Sequence, residues 1–278
     1  MANESVEILL ATYNGARFLG QQIASIQNQT YTNWSIISSD DGSTDETTSI
    51  IKSYQAAMPG KIKILEGGKQ LGSTMNFSYL LEKSTADYVM LCDQDDVWVA
   101  DKIALQMQEM LKLEAAHGKD FPLLVCSDLA IVDEQLQVLY PSFFKHRKQS
   151  TDILNDSYKL IAHSTITGCT MLLNRAAIRV AVPIRINNFQ QDHWIGMHVA
   201  YYGKISCIEQ PLVLYRQHSS NVVGARKISL QYLLSRLGYF PNLIKDWLRL
   251  KQKASIPVPV AKVFLFKIWY NASRLLKR

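Results

Sequence analysis

Along the first half of the chain, short apolar runs of strand length alternate with longer stretches of helical period. Residues 6–11 form an apolar run that ends in the turn TYNG. Over 16–29 the apolar residues fall at 18, 19, 23 and 26, the spacing of one helix face. A second run begins at Trp34 and ends in SDDGS; a helix is expected to open at Thr44, with Thr47 standing where a capping box would carry Glu. A third strand is expected at 61–66, a third helix at 73–83 and a fourth strand at 88–92. A long helix at 100–117 follows, and then a strand at 123–129. Repeated strand–helix units of this length imply an α/β fold, a mostly parallel sheet with helices on both faces.

The second half is less regular. TGCTMLLN, residues 167–174, reads as a strand entered through a glycine, and 191–203 as a helix. KISCIE and PLVLYRQH read as two short strands on either side of Pro211.

The chain has 278 residues, of which 47% are hydrophobic, enough for one large α/β domain or two small ones and for a full core. Its net charge of +6 hides an asymmetry. From Arg226 onward there are 12 Lys and Arg against the single acid Asp246, a net +11, which leaves −5 for the rest. The expected division is a mildly acidic body over 1–223 and a basic helical extension over 224–278. Residues 230, 233, 234 and 237, then 243, 244, 247 and 248, place apolar side chains among the basic ones. Residues 260–276 do the same with Phe264, Leu265, Ile268 and Trp269. Basic amphipathic helices with Trp and Phe suit an anionic membrane surface; the plain alternative is helices packed on the body. No motif supports binding to nucleic acid. The N-terminus lacks the pattern of a signal peptide, and no apolar stretch reaches 18 residues. Cys92, Cys126, Cys169 and Cys207 are widely spaced and read as reduced thiols in a cytosolic protein.

In an open parallel sheet, ligands bind beyond the carboxyl ends of the strands. The first strand ends in Thr12-Tyr13-Asn14-Gly15, the second in Asp40-Asp41-Gly42-Ser43 and the fourth in Asp93-Gln94-Asp95-Asp96. Any one of these could be turn chemistry, but three polar ends at one edge suggest a site. Unit charges about 5 Å apart repel by roughly 3 kcal/mol at an effective dielectric near 20, so the aspartates call for a cation. The chain has neither a G-x-x-x-x-G-K-[ST] loop nor a G-x-G-x-x-G fingerprint. A diphosphate would therefore be held through Mg²⁺ or Mn²⁺, with Asp93 and Asp95 as oxygen ligands. If the segment is extended, those two carboxylates point the same way, and Asp96 points elsewhere, to the loop or the next helix.

Together, ILLATYNGARFLGQQIASIQNQTYTNWSIISSDDGSTDET, DQDDVW and TGCTMLLNR resemble the signatures of family 2 glycosyltransferases with the GT-A fold, over residues 5 to 223. Within that family the chain is similar to bacterial polysaccharide rhamnosyltransferases, which share segments of the SDQDDVW and YRQHxxNxxGA type; here the latter is YRQHSSNVVGA at 215–225. The resemblance implies that Thr12, Asn14, Asp40 and Asp41 hold the nucleoside of a nucleotide-sugar. It implies that Asp93 and Asp95 form a DxD metal motif, with Asp95 the direct ligand, and that His218 is metal-binding or phosphate-facing. Arg216 would help neutralise the diphosphate, and Gly168 would let the backbone approach donor sugar and acceptor. Gln191-Asp192 falls where the family has an acidic pair, so Asp192 alone can serve as base. Each role has a plain counterpart: Asp192 as a helix cap, His218 at the surface, Trp98 and Trp194 in the core rather than under a sugar. His193 and His198 read as structural.

The function implied is inverting transfer of a sugar, by first preference from dTDP-L-rhamnose, to a lipid-diphosphate-linked saccharide in bacterial surface polysaccharide synthesis. A UDP-hexose donor (glucose, galactose or N-acetylhexosamine) is the alternative, and a sugar nucleotidyltransferase a more distant one. TYNGARF is a poor match to the Gly-rich, Lys- or Arg-bearing loop that a nucleotidyltransferase would show. The expected place is the inner face of the cytoplasmic membrane, bound peripherally.

Overall fold

The computed structural model describes residues 4–66, 70–187, 189–218 and 240–276. The expected boundary near 223, the end of the YRQHSSNVVGA segment and the first part of the basic extension lie outside the described residues.

The parallel half follows the sequence pattern closely. It runs β1 (Val6–Thr12), α1 (Ala16–Gln27), β2 (Trp34–Asp40), α2 (Thr47–Ala57), β3 (Ile62–Leu65), α3 (Ser73–Lys83) and β4 (Tyr88–Asp93). A short β5 (Val97–Trp98), α4 (Lys102–His117) and β6 (Leu123–Val132) follow. Then come β7 (Val138–Tyr140), α5 (Phe143–His146), α6 (Ser157–Ala162), β8 (Leu172–Asn174), α7 (Arg175–Ala181), α8 (Gln191–Tyr202) and β9 (Lys204–Arg216). The described chain closes with α9 (Phe240–Lys253) and α10 (Val260–Leu276).

The nine strands form one sheet in the order β3-β2-β1-β4-β8-β6-β9-β5, with β7 paired to β6. β1, β2, β3 and β4 are parallel, as are β6 and β9. β8 lies antiparallel between β4 and β6, which makes those two parallel to each other. All ten residues of β6 are buried, as expected for a strand covered on both faces. Successive residues of β1 enter different cores: Ile8 and Leu10 pack with Leu19, Ile23 and Met107, whereas Leu9 packs with Phe77, Leu81 and Trp194. That alternation shows that helices cover both faces.

Several boundaries differ from the sequence pattern. α2 begins at Thr47 rather than Thr44, because the Asp45 carboxylate accepts from the Thr47 N–H at 3.0 Å and the Ala16 N–H at 3.1 Å. The stretch 167–174 is a 3₁₀ turn over Gly168–Thr170 followed by only three strand residues. Pro211 does not divide two strands. β9 runs through it, with the register jumping from Ser127↔Ile208 to Asp128↔Pro211. A proline, lacking an N–H, is tolerated where the ladder is already broken by a bulge.

α9 and α10 share the core of the body. Trp247, Leu250, Val263 and Tyr270 are buried in the cluster that holds Leu160, Ile161 and Trp194. The change in charge is thus not a change of core: both helices pack on the body through their inner faces.

Gly203 ends α8 against the loop before β6. A Cβ there would lie 1.9 Å from the Pro122 carbonyl oxygen, which also accepts the Lys204 N–H at 2.9 Å. Gly203→Ala should therefore destabilise the fold by on the order of 3 kcal/mol, read as a fall in the denaturant midpoint at constant slope.

Candidate active site

Strand register carries the polar loop ends to one level. Thr12 pairs with Asp40, and Ala11 with Asp93, so the last residues of β2, β1 and β4 lie side by side at the carboxyl edge. β8 runs the other way, which brings the turn at Gly168–Thr170 back to that edge. The N-terminus of α8 meets it there: the Asp192 carboxylate accepts the Gly168 N–H at 3.2 Å and the His193 N–H at 2.6 Å. A cleft of about 880 Å³ opens over this edge.

Eight of the ten expected residues line the cleft: Thr12, Asn14, Asp41, Asp93, Asp95, Gly168, Asp192 and His218. The other two serve as ties. Asp40 accepts from Thr12 Oγ1 at 2.9 Å, the Ser43 N–H at 2.7 Å and the Gly42 N–H at 3.1 Å, which fixes the DDGS turn. Arg216 is fully buried. Its Nε donates to the Asp95 carbonyl at 2.8 Å, its Nη2 to Gln21 Oε1 at 2.6 Å and its Nη1 to the Glu134 carbonyl at 2.5 Å. The guanidinium thus stiffens the loop beneath the cleft. Asp41 also braces a loop, accepting the N–H groups of Leu71 and Gly72. Asn14 adopts a left-handed backbone (φ 47°), and its Oδ1 accepts the Thr44 N–H at 2.8 Å.

The acidic segment is not extended throughout. β4 stops at Asp93, Gln94-Asp95 turns, and β5 resumes at Val97. Asp93 and Asp95 reach the same cleft by that turn rather than by strand alternation. Asp95 Oδ2 lies 2.8 Å from His218 Nε2, and the imidazole packs on Phe18 with ring centroids 4.9 Å apart. Asp96 is fully buried and accepts the Arg216 N–H at 3.2 Å, which ties the loop to β9. Its other oxygen has no hydrogen-bond partner. Ligand atoms of Asp93, Asp96 and Cys169 lie within 4.8 Å of one another.

Electrostatics mark the cleft as short of positive charge. Burial, then Asp95 and Asp192, push the Asp93 carboxyl up to about 7. Burial, then Asp95 and Asp93, push Asp96 well above the carboxylate range. Burial pushes Asp192 up to about 6 against the opposing effect of its two N–H donors. Asp93, Asp95 and His218 line the cleft together, an oxygen-rich set with one imidazole that could hold a divalent cation.

A sequence model described as Glycosyl transferase family 2 matches residues 7–179. The chain belongs to that family. RfbG of Shigella flexneri, a dTDP-rhamnosyl transferase, is 28% identical over 247 residues, covering 84% of this chain and 79% of RfbG. WfgD of Escherichia coli, a UDP-Glc:alpha-D-GlcNAc-diphosphoundecaprenol beta-1,3-glucosyltransferase, is 29% identical over 107 residues, 38% of this chain and 41% of WfgD. Two solved structures share the fold. Residues 1–349 of Staphylococcus aureus TarS, in complex with UDP-GlcNAc, match with a TM-score of 0.60 at 16% identity, covering 97% of this chain and 72% of that one. The mannosyltransferase PcManGT from Pyrobaculum calidifontis, in complex with GDP-Man and Mn²⁺, matches at 0.59 and 15%, covering 97% and 71%. The fold is GT-A and the protein is a glycosyltransferase.

Within this family 2 enzyme, several residues that matter to the site carry no plain sequence signal. Gln94 accepts the Tyr13 N–H at 2.9 Å and donates to the Tyr13 carbonyl at 2.8 Å, locking the first loop to the acidic loop. A Cβ on Gly15 would lie 2.1 Å from Gln94 Oε1, so the glycine of TYNG makes room for that lock. Arg147 and Gln149 line the cleft from a segment with no recognisable motif. Lys102, fully buried over the Trp98 ring at 4.2 Å, bonds Gln106 Oε1 at 2.6 Å, and burial lowers its pKa to about 7. Trp98 and Trp194 are core residues, 3% and 2% exposed. His193 and His198 bond the carbonyls of Leu160 and Trp194 at 2.7 and 2.8 Å, the structural role expected of them. All four cysteines are free thiols, and three are buried.

The raised Asp93 sets a pH signature. Without metal, the folded state holds a proton on Asp93 that the unfolded chain releases near its ordinary value of 3.8, so stability falls as pH rises from about 4 through 7. Metal-free Asp93→Asn should gain on the wild type by at least about 1 kcal/mol between pH 5 and pH 8, measured by urea unfolding in chelator. Added Mn²⁺ should reverse the order at pH 8.

Proposed function

We propose that this glycosyltransferase inverts the anomeric centre of a nucleotide-sugar as it transfers the sugar to a lipid-diphosphate-linked saccharide. The observation that carries this reading is the placement of Asp192 in the same cleft as the Asp93–Asp95 loop, close enough to raise the Asp93 pKa. A base and a cation site in one cleft would suit attack on, and departure from, a single carbon.

The first loops, with Thr12, Asn14 and Asp41, would take the nucleoside. Mg²⁺ or Mn²⁺ held by Asp95 and His218, with Asp93 beside them, would supply positive charge against the leaving diphosphate. Asp192, its lone pairs fixed by the Gly168 and His193 N–H groups, would accept the proton of the attacking hydroxyl. The new bond joins that oxygen to the anomeric carbon as the bond to the diphosphate breaks, and the proton remains on Asp192. Gln191 cannot share this role, so a single carboxylate does the work, as direct displacement requires. A pKa of about 6 leaves Asp192 ionised at neutral pH yet basic enough to accept a proton.

The likeness to RfbG supports dTDP-L-rhamnose as the first donor to test. The likeness to WfgD supports a UDP-hexose as the second, and a diphosphate-linked lipid saccharide as acceptor class. Attachment to an anionic membrane surface is supported by the outer sides of α9 and α10. Leu265, Trp269, Leu248 and Ile268 are exposed there beside exposed Lys245, Arg249, Lys251, Lys253 and Lys262. No helix among the described residues is long and apolar enough to cross a membrane. In this reading residues 1–223 carry the chemistry, and 224–278 add the lipid-facing helices on the cytoplasmic side.

Screening nucleotide-sugars for nucleoside diphosphate release, with and without Mn²⁺, tests the reaction class; no release from any donor would overturn it. Asp192→Asn should retain nucleotide binding and lose at least about 10²-fold in kcat. The wild-type rate should fall as pH drops through about 6, following protonation of Asp192. Gly168→Ala separates ligand space from packing. A Cβ there meets protein atoms only at 3.5 Å and beyond, so stability should hold while donor or acceptor KM rises.

For the membrane, Leu265→Ser with Trp269→Ser should leave the melting temperature unchanged and abolish co-sedimentation with phosphatidylglycerol vesicles. A double variant that still pellets with them excludes this face as the seat.

A further inference from the structure

Two segments outside the sheet line the cleft that holds Asp192. Residues 143–150 reach it with Phe143, Arg147 and Gln149, and residues 164–167 lead directly into Gly168. Each is tied to α10. Tyr270 Oη accepts the Ser150 N–H at 3.0 Å, and Arg274 Nη2 donates to the Arg147 carbonyl. Arg274 Nη1 meets His163 Nε2 at 3.0 Å, and Lys267 Nζ donates to the Ala162 carbonyl at 2.7 Å. Burial, then Lys267 and Arg274, hold His163 well below its usual pKa, so its ring is neutral and can accept the Arg274 N–H.

These anchors are placed where apolar side chains would pack at less cost. Arg274 is 1% exposed and Tyr270 3%. A buried guanidinium adds little net stability compared with a hydrophobic residue of similar volume, but it fixes the geometry of the groups that it bonds. Here those groups are the main-chain carbonyl of Arg147, in one cleft wall, and the imidazole of His163, just before the other. The opposite side of the same helix carries Leu265 and Trp269, 65% and 63% exposed.

We propose that α10 is part of the acceptor site, with Lys267, Tyr270 and Arg274 as positioning residues that hold segments 143–150 and 162–167 in the shape that brings the acceptor hydroxyl to Asp192. The inference rests on Asp192 facing the acceptor, as set out above. It gives the terminal helix two tasks on two faces: the outer face meets the surface where a lipid-linked acceptor resides, and the inner face shapes the wall that receives its sugar. A helix is about 10 Å across, so the two are one helix width apart.

Tyr270→Phe removes one oxygen and conserves packing; Lys267→Met and Arg274→Lys complete the set. The donor is whichever nucleotide-sugar the screen identifies, and the acceptor probe is GlcNAc-diphosphate on a short alkyl chain. Tyr270→Phe and Lys267→Met should lower kcat/KM for the acceptor on the order of tenfold. Donor KM, nucleoside diphosphate affinity and slow donor hydrolysis by water should stay within about twofold of wild type, and Arg274→Lys should retain part of the acceptor term. If acceptor kcat/KM is unchanged in a wild type that transfers sugar, this inference falls and the proposed function stands. Parallel loss of donor and acceptor terms with a lowered melting temperature would make the anchors merely structural and overturn it too. A wild type that hydrolyses donor but never glycosylates the probe removes the acceptor reading, and this inference with it.

Discussion

The repulsion among four buried or half-buried carboxyl groups, Asp93, Asp95, Asp96 and Asp192, is the constraint around which the cleft is organised. Parallel pairing of β1 with β2 and β4 fixes the level at which Asp93 leaves the sheet. The antiparallel β8 then returns Gly168 to that level, and Gly168 draws in Asp192. At an effective dielectric near 20, each close pair of charges would repel by roughly 3 kcal/mol. The protein meets part of this with its own groups: N–H donors on Asp192, the His218 ring on Asp95 and Lys102 below Asp96. Burial, and after it the repulsion that is left, raises the Asp93 and Asp96 pKa values. A site held together by strand pairing but short of positive charge favours a ligand that brings a cation with it.

Because the loops at this edge repel one another, they need ties, and several polar residues that look ligand-facing in sequence are those ties. Asp40 bonds its own turn and Thr12. Arg216 joins β9 to the carbonyl of Asp95 and to α1 through Gln21. Gln94 grips both main-chain groups of Tyr13, and Gly15 leaves the room for it. The motif residues thus divide into those that line the cleft and those that set its shape.

The parallel half was legible because its elements are long and periodic, and because β1, β2 and β4 each end in a polar turn. The second half was less so for physical reasons. β8 is three residues long, too short to show a period, and is recognisable only by its pairing on both sides. Pro211 suggests a break unless one knows that the β6–β9 ladder slips at that point. In the site, residue type identified the carboxylates and His218, but direction depends on backbone. The turn at Gln94-Asp95 sets which aspartates converge, and neither strand period nor composition encodes it. Arg147 and Gln149 lie in a segment tied at Ser150 to Tyr270 of α10, 120 residues further along the chain, and no local pattern records such a contact.

The basic extension shows how a correct charge count can still mislead about surfaces. The net +11 from Arg226 onward treats all its cations as equivalent. In α10 they are not: Lys262 is exposed, whereas Lys267 and Arg274 turn inward to a carbonyl of α6 and to the 143–150 segment. On its outer face the helix presents Leu265, Ile268 and Trp269 instead. The charge that would attract a lipid surface therefore comes mainly from α9 and Lys262, and the apolar contact mainly from α10. Two of the cations that make the segment look like a tail instead bond it to the body, an arrangement that the proposed double contact with a surface and a cleft wall would require.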